Sequence, residues 1–194
     1  IKIYLLIRGR TLKNTGFRLD NMKKDALKEV GNIGAGNAAT AFSEVLDRKI
    51  KIDVPSVEII PLEEVSTITG DEEYHVAGVL FKVNGDAPGT ILFIFPAKTI
   101  KYLIKVVMGQ TVEPDEMGEI EVSLLKELGN ILSGSYLKSI GDMTDLDMIQ
   151  SVPSFSYDMA GAILSSTMLS ASSKCDNVLL IETLFMDGEH KIEG

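Results

Sequence analysis

Two acid–amide pairs are the residues of this 194-residue sequence whose types and spacing suit chemistry: Glu29 with Asn32, and Glu127 with Asn130. A carboxamide donates and accepts hydrogen bonds at once, so it can hold a water molecule with its lone pair aimed in line at an electrophile. A carboxylate one helical turn away can accept a hydrogen bond or pair with a cation. Neither group is a covalent nucleophile. With two histidines and one cysteine (His75, His190, Cys175), the chain also has no Ser-His-Asp or Cys-His set. The chemistry implied is the positioning of water against a substrate that brings its own activation. An amide does not titrate near neutrality, so the rate is expected to be nearly flat between about pH 6 and 8; a bell centred near 7 would indicate a different base.

The elements that must hold these pairs are written twice. Asp25 to Asn37 (DALKEVGNIGAGN) returns as Ser123 to Ser135 (SLLKELGNILSGS), and Glu29, Asn32, Gly36 and Pro55 all reappear 98 residues later as Glu127, Asn130, Gly134 and Pro153. Asp25 and Ser123 stand four residues before each glutamate, which puts acid, amide and leading polar residue on one face of a helix. Leu27, Val30 and Ile33, and in the second copy Leu124, Leu128 and Ile131, then read as the apolar underside. Glycines at 31, 34 and 36 cost roughly 0.5–1 kcal/mol each within a helix, which points to close approach of another backbone or of a ligand.

Composition narrows the partner. A formal charge of −9 argues against a nucleic-acid surface and favours a protein partner. The basic excess of residues 1–30, eight Lys/Arg against three Asp/Glu, reads as solvated surface. The lone Cys175 excludes an internal disulfide framework and fits a reducing compartment, and the two histidines lack companions at metal-ligand spacing, so no metal or other cofactor of its own is expected. No apolar run reaches the ~18 residues needed to span a bilayer, and Ile1 to Ile7 is too short for a secretory signal, which gives the expectation of a soluble, cytoplasmic protein.

The hydrophobic pattern predicts strands over residues 1–7, 49–60 with a bulge or edge at Pro55, 76–83, 90–95, 146–152 ending at Pro153, and 178–185, with a returning strand from Lys191 after a turn at 186–189. Helices are expected over 21–47, capped by Asp20 or Asn21 and packed through Ala35, Ala38, Ala39 and Ala41; over 96–108 with Ile100, Leu103, Ile104 and Val107 inward; over 119–140; and over 157–171, besides a short one at 11–19. Residues 62–73 read as a polar loop and 109–118 as the link between halves. The whole is an α/β fold: one duplicated, pseudo-two-fold domain with two long motif helices on a mainly antiparallel sheet. It divides into a first repeat at 21–108, a second at 109–194, and an arm at 1–20. Residues 3–13 resemble 91–101 at an offset of 88, so the arm is expected to complete the second repeat, folded back within the chain or exchanged with a neighbour.

The pattern Asp/Ser-x3-Glu-x2-Asn-x22-Pro, present as Asp25, Glu29, Asn32, Pro55 and as Ser123, Glu127, Asn130, Pro153, resembles the signature of the CheC/CheX/FliY family of CheY-phosphate phosphatases, over about residues 22–194. The resemblance implies hydrolysis of the aspartyl phosphate of the chemotaxis response regulator CheY. Asn32 and Asn130 would position the attacking water, and Glu29 and Glu127 would engage a regulator lysine. Asp25 and Ser123 would support at the rim, and Pro55 and Pro153 would shape the adjoining strand. It also implies that Mg²⁺ sits in the regulator rather than in this chain. Two motif copies, with no flagellar-switch domain following residue 194, favour the CheC type over the single-motif CheX and the longer FliY. The alternative within the family is a non-catalytic adaptor that binds phosphorylated CheY, the receptor deamidase CheD, or both. Gly34 to Ala39 also satisfies G-x-G-x-x-A, but a dinucleotide site needs a buried strand before it, and residues 22–30 are charged and helical in period.

Overall fold

Alternation along the central strands sets the layering. The computed structural model describes residues 1–7, 21–65, 74–171, 177–187 and 190–192. In these, strands β1 (Lys2–Ile7), β2 (Ile50–Pro61), β3 (His75–Gly85), β4 (Gly89–Pro96), β5 (Met148–Gln150), β6 (Ser154–Met159), β7 (Asn177–Asp187) and β8 (His190–Ile192) form one antiparallel sheet. Its order is β2-β7-β1-β4-β3-β5, with β6 also on β3 and β8 on β7. Ile91, Phe93 and Phe95 of β4 face one core while Leu92 and Ile94 face the other, as the two-residue period of a strand requires. An unbroken apolar run is what a strand covered on both sides needs.

On the first face lie the two motif helices, α1 (Asn21–Leu46) and α3 (Glu119–Thr144), with α2 (Ala97–Met108). Here Phe42, Phe81, Phe93, Leu125, Leu128 and Leu132 are fully buried, and Phe81 meets Phe93 edge to face. Burying each such side chain contributes on the order of 1.5–3 kcal/mol. The other face is covered by α4 (Ala160–Ala171), which packs Ala160, Ile163 and Leu164 against Val76, Leu92 and Leu180. α2 begins after Pro96, whose missing N–H costs nothing there, and stops at Gly109 in the left-handed region (φ 69°). Ile100, Leu103 and Ile104 are inward as expected, whereas Val107 ends on the exposed side of the last turn.

The mixed α/β architecture with two motif helices on an antiparallel sheet is as the sequence predicts, and several boundaries differ. α3 runs four residues beyond 140, to a cap at Asp145 in the left-handed conformation (φ 60°) whose N–H reaches the Gly141 carbonyl. The strand expected over 146–152 is only the three residues of β5. The ladder breaks at Ser151–Pro153 and resumes as β6, because Pro153 has no N–H to give and the Ser151 hydroxyl takes the Lys82 N–H instead. Residues 157–159, read as the start of a helix, finish β6 on the β3 ladder, so α4 begins at Ala160. In the first half β2 passes its own proline with a register shift between Asp53 and Ser56 and continues to Pro61. Leu62–Glu64 is a 3-10 turn within the expected loop. Asp20, the helix at 11–19, the loop from 66 to 73 and turn residues 188–189 lie outside the described residues.

β1 lies between β4 and β7. Ser56 faces Glu182 and its counterpart Ser154 faces Leu80, so the two-fold carries Ile181 onto Val79. Those two face Ile3 and Phe93 respectively, which makes Ile3 the counterpart of Phe93 and also its ladder partner. The pseudo-axis therefore passes through that pair, and the ladder offset is 90, one pleat period from the 88 read off the sequence.

Candidate functional site

The polar stripe of each motif helix is positioned by what the opposite stripe packs on. In α1 the buried positions are Gly31, Gly34, Ala35, Ala38, Phe42 and Leu46, not Leu27, Val30 and Ile33: the first two of these are half-buried and Ile33 is 41% exposed. The physical reason is the glycines. A Cβ on Gly34 would lie 2.8 Å from Tyr136 Cδ1 and 3.2 Å from its Cα, so only glycine lets α3 come this near. That contact turns α1 so that its small residues face inward and Ile33 rides on the flank beside Glu29. Ala39 and Ala41 are half-buried on the margin of the same face. In α3 the bulk is reversed: Leu125, Leu128, Leu132 and Tyr136 are buried, Leu124 and Ile131 half-buried. Asn37 Nδ2 donates across the helix pair to Ser139 Oγ at 3.4 Å.

This packing leaves Asp25, Glu29 and Asn32 exposed along α1, and Ser123 and Glu127 exposed along α3, while Asn130 is half-buried. Each acid stands one turn before its amide on the same face. Asn32 makes no side-chain hydrogen bond among the described residues. Asn130 does: Gln150 Nε2 donates to Asn130 Oδ1 in a very short contact and lies 3.3 Å from the Asn130 main-chain oxygen. Pro55 is exposed at the β2 register shift, and Pro153 is half-buried between β5 and β6, so both prolines mark where the strand beside the motif helix loses its ladder. Residues 34–39 lie inside the continuous α1 and follow no strand, which removes the dinucleotide-loop reading.

Gln150 is the residue that sequence reasoning passed over. It lines, with Gly134, Lys138, Gly141, Asp142 and Asp147, a cleft of about 770 Å³ beside the second motif. The available signal was the repeat itself, since the aligned residue of the first half is Ile52, an apolar side chain buried in the core. Beneath the helices, burial raises the pKa of the Tyr136 hydroxyl far above its ordinary value of 10.0, and this oxygen has no hydrogen-bond partner. Among the described residues no three His, Cys, Asp or Glu side chains converge to hold a metal ion, and no helix is long and apolar enough to cross a membrane.

Two acid–amide stripes on twinned helices over an antiparallel sheet define a class, and comparison with known proteins identifies it. The CheC-like family model matches residues 22–59 and again 120–157, the same 98-residue displacement as the motifs. The CheY-P phosphatase CheC of Bacillus subtilis (strain 168) is 36% identical over 172 residues, covering 87% of this chain and 82% of that protein. The chain belongs to the CheC-like family. The flagellar motor switch phosphatase FliY of the same organism is 33% identical over 124 residues, 63% of this chain but only 32% of FliY. The crystal structure of Thermotoga maritima FliY has the same fold, with a TM-score of 0.73 over 89% of this chain and 86% of that one at 23% identity. The FliM middle domain from H. pylori shares it at a TM-score of 0.65 and 11% identity, over 89% of each chain.

Proposed function

We infer that this chain is a CheY-P phosphatase: it hydrolyses the aspartyl phosphate of the phosphorylated response regulator, acting in the cytoplasm. The observation that carries this reading is the 36% identity to the CheY-P phosphatase CheC across most of both chains. Exposure of Glu29, Asn32 and Glu127, with Asn130 half-buried, supports it, since a group that works on a docked protein must be reachable. In the proposed mechanism Asn32 or Asn130 enters the regulator's active site and holds water in line with phosphorus. The water oxygen bonds to phosphorus as the bond to the aspartyl oxygen breaks, the carboxylate leaves, and the water proton passes to a phosphate oxygen. Glu29 or Glu127 pairs with the lysine beside the phosphate and orients the docked partner. Mg²⁺ held by the regulator would offset charge on the phosphoryl oxygens, so the mechanism calls for no cofactor bound by this chain.

Asp25 and Ser123 act as hydrogen-bonding groups at the rim, and Pro55 and Pro153 keep the neighbouring strand clear of the ladder. Residues 21–108 and 109–194 work as two halves of one unit, with β1 completing the second; residues 8–20 of the arm lie outside the described residues. The test is the decay of labelled phospho-CheY with this protein at one-tenth of the regulator concentration. Loss of several regulator phosphates per protein molecule is expected. Binding with an unchanged lifetime would instead make the chain an adaptor, and capture of CheD would then become its principal interaction.

A further inference from the structure

We propose that Gln150 is a positioning residue for the second motif, holding the Asn130 carboxamide in one orientation before the phosphorylated regulator arrives. The inference rests on the phosphatase reading above and deepens it by separating the two sites. Gln150 Nε2 reaches both oxygens of Asn130, the side-chain Oδ1 and the main-chain carbonyl at 3.3 Å. One donor shared between two acceptors on the same residue fixes the side-chain torsions and the sense of the amide. With Oδ1 turned to Gln150, the two N–H bonds of Nδ2 point away from it. One lone pair of Oδ1 stays free, so the amide can still accept from water as well as donate.

The surroundings allow this arrangement only in the second half. A Cβ on Gly134 would sit 4.0 Å from Gln150 Nε2, an ordinary van der Waals distance, so the Gln150 amide lies against α3 at this turn. At Gly36, the first-half counterpart, a Cβ would meet nothing within 4 Å, and Ile52 takes the place of Gln150 with its side chain in the core. Asn32 must therefore be ordered when the regulator docks, whereas Asn130 is ordered beforehand, which favours catalysis by lowering the entropy lost on the way to the reacting geometry.

The experiment uses the full chain carrying Asn32→Ala, so that only the second site turns over. Into it are placed Gln150→Ala, which removes the donor, and Gln150→Glu, an isostere whose carboxylate repels both Asn130 oxygens and drives Nδ2 inward. kcat on phospho-CheY is expected to fall roughly tenfold with alanine and further with glutamate, at an unchanged KM. A merely structural role would make the isosteric glutamate milder than alanine and would lower the urea midpoint in parallel, and that order overturns the proposal. Independently of activity, the side-chain ¹⁵N relaxation of the wild-type protein should show the Asn130 amide rigid and the Asn32 amide mobile. Equal mobility of the two overturns the geometry. A wild-type protein that leaves the phospho-CheY lifetime unchanged refutes the phosphatase reading instead, and the relaxation result still decides the placement of Gln150.

Discussion

The two motif copies differ less in the residues that would meet the regulator than in the strand beside them. In the first, β2 runs through its proline with one register shift, Lys51 faces solvent, and Ile52 and Val54 enter the core. In the second, the aligned residues are Ile149, 70% exposed, Gln150 against Asn130, and Val152, 86% exposed, because β5 is three residues long and the ladder is open up to Pro153. A short strand frees its side chains from the alternation that a continuous ladder imposes. Duplication has thus kept acid, amide and proline in place while the adjoining strand took on a second use. The exposed Ile149 and Val152 also leave two apolar side chains on the surface of the second copy where the first has a lysine and a buried valine.

Charge reversal should weaken each copy most strongly. Glu127→Lys on an Asn32→Ala background, and Glu29→Lys on an Asn130→Ala background, are each expected to lower kcat/KM for phospho-CheY by about tenfold to a hundredfold through KM, since each places a lysine against the regulator's lysine. A kcat-only effect would assign the acids to chemistry rather than docking. Next in size is the helix crossing. Gly34→Ala should cost about 1–3 kcal/mol in urea unfolding, because its methyl group meets the Tyr136 ring and backbone.

Tyr136→Phe removes a buried hydroxyl without a partner and should stabilise by about 1 kcal/mol. It also carries a pH signature. With the folded-state pKa raised above 10.0, the unfolded chain ionises first, so the stability this group contributes is complete below about pH 10 and falls as pH rises further. The phenylalanine variant should therefore show a shallower loss of stability in that alkaline range than the wild type. Smallest is Gly36→Ala, where no atom lies within 4 Å. It should gain roughly 0.5–1 kcal/mol by restricting the unfolded chain, and a loss there would mean that α1 is held more tightly near Asn32 than the structure shows.

The parts of the molecule that were legible in the sequence are those governed by local period. The two motif helices, the β3–β4 hairpin and α2 between Pro96 and Gly109 follow from spacing, caps and turn residues, and the family follows from eight residues at fixed intervals. What could not be read depends on contacts between elements. Ile33 looks like a core residue until Gly34 meets Tyr136 and turns it outward. The end of β6 looks helical because Tyr157 to Ala171 holds no proline and a single charged residue, and only the ladder to β3 makes its first residues a strand. Gln150 is an ordinary polar residue in a strand until α3 brings Asn130 to it.

The most direct test of the account is a dephosphorylation series on labelled phospho-CheY with the wild type, Asn32→Ala, Asn130→Ala and the double variant. Each single variant should retain part of the activity, with Asn130→Ala the weaker of the two, and the double variant should lose roughly 10²–10³ in rate while remaining folded. A folded double variant that dephosphorylates CheY at the wild-type rate would contradict the claim that these two carboxamides carry the reaction.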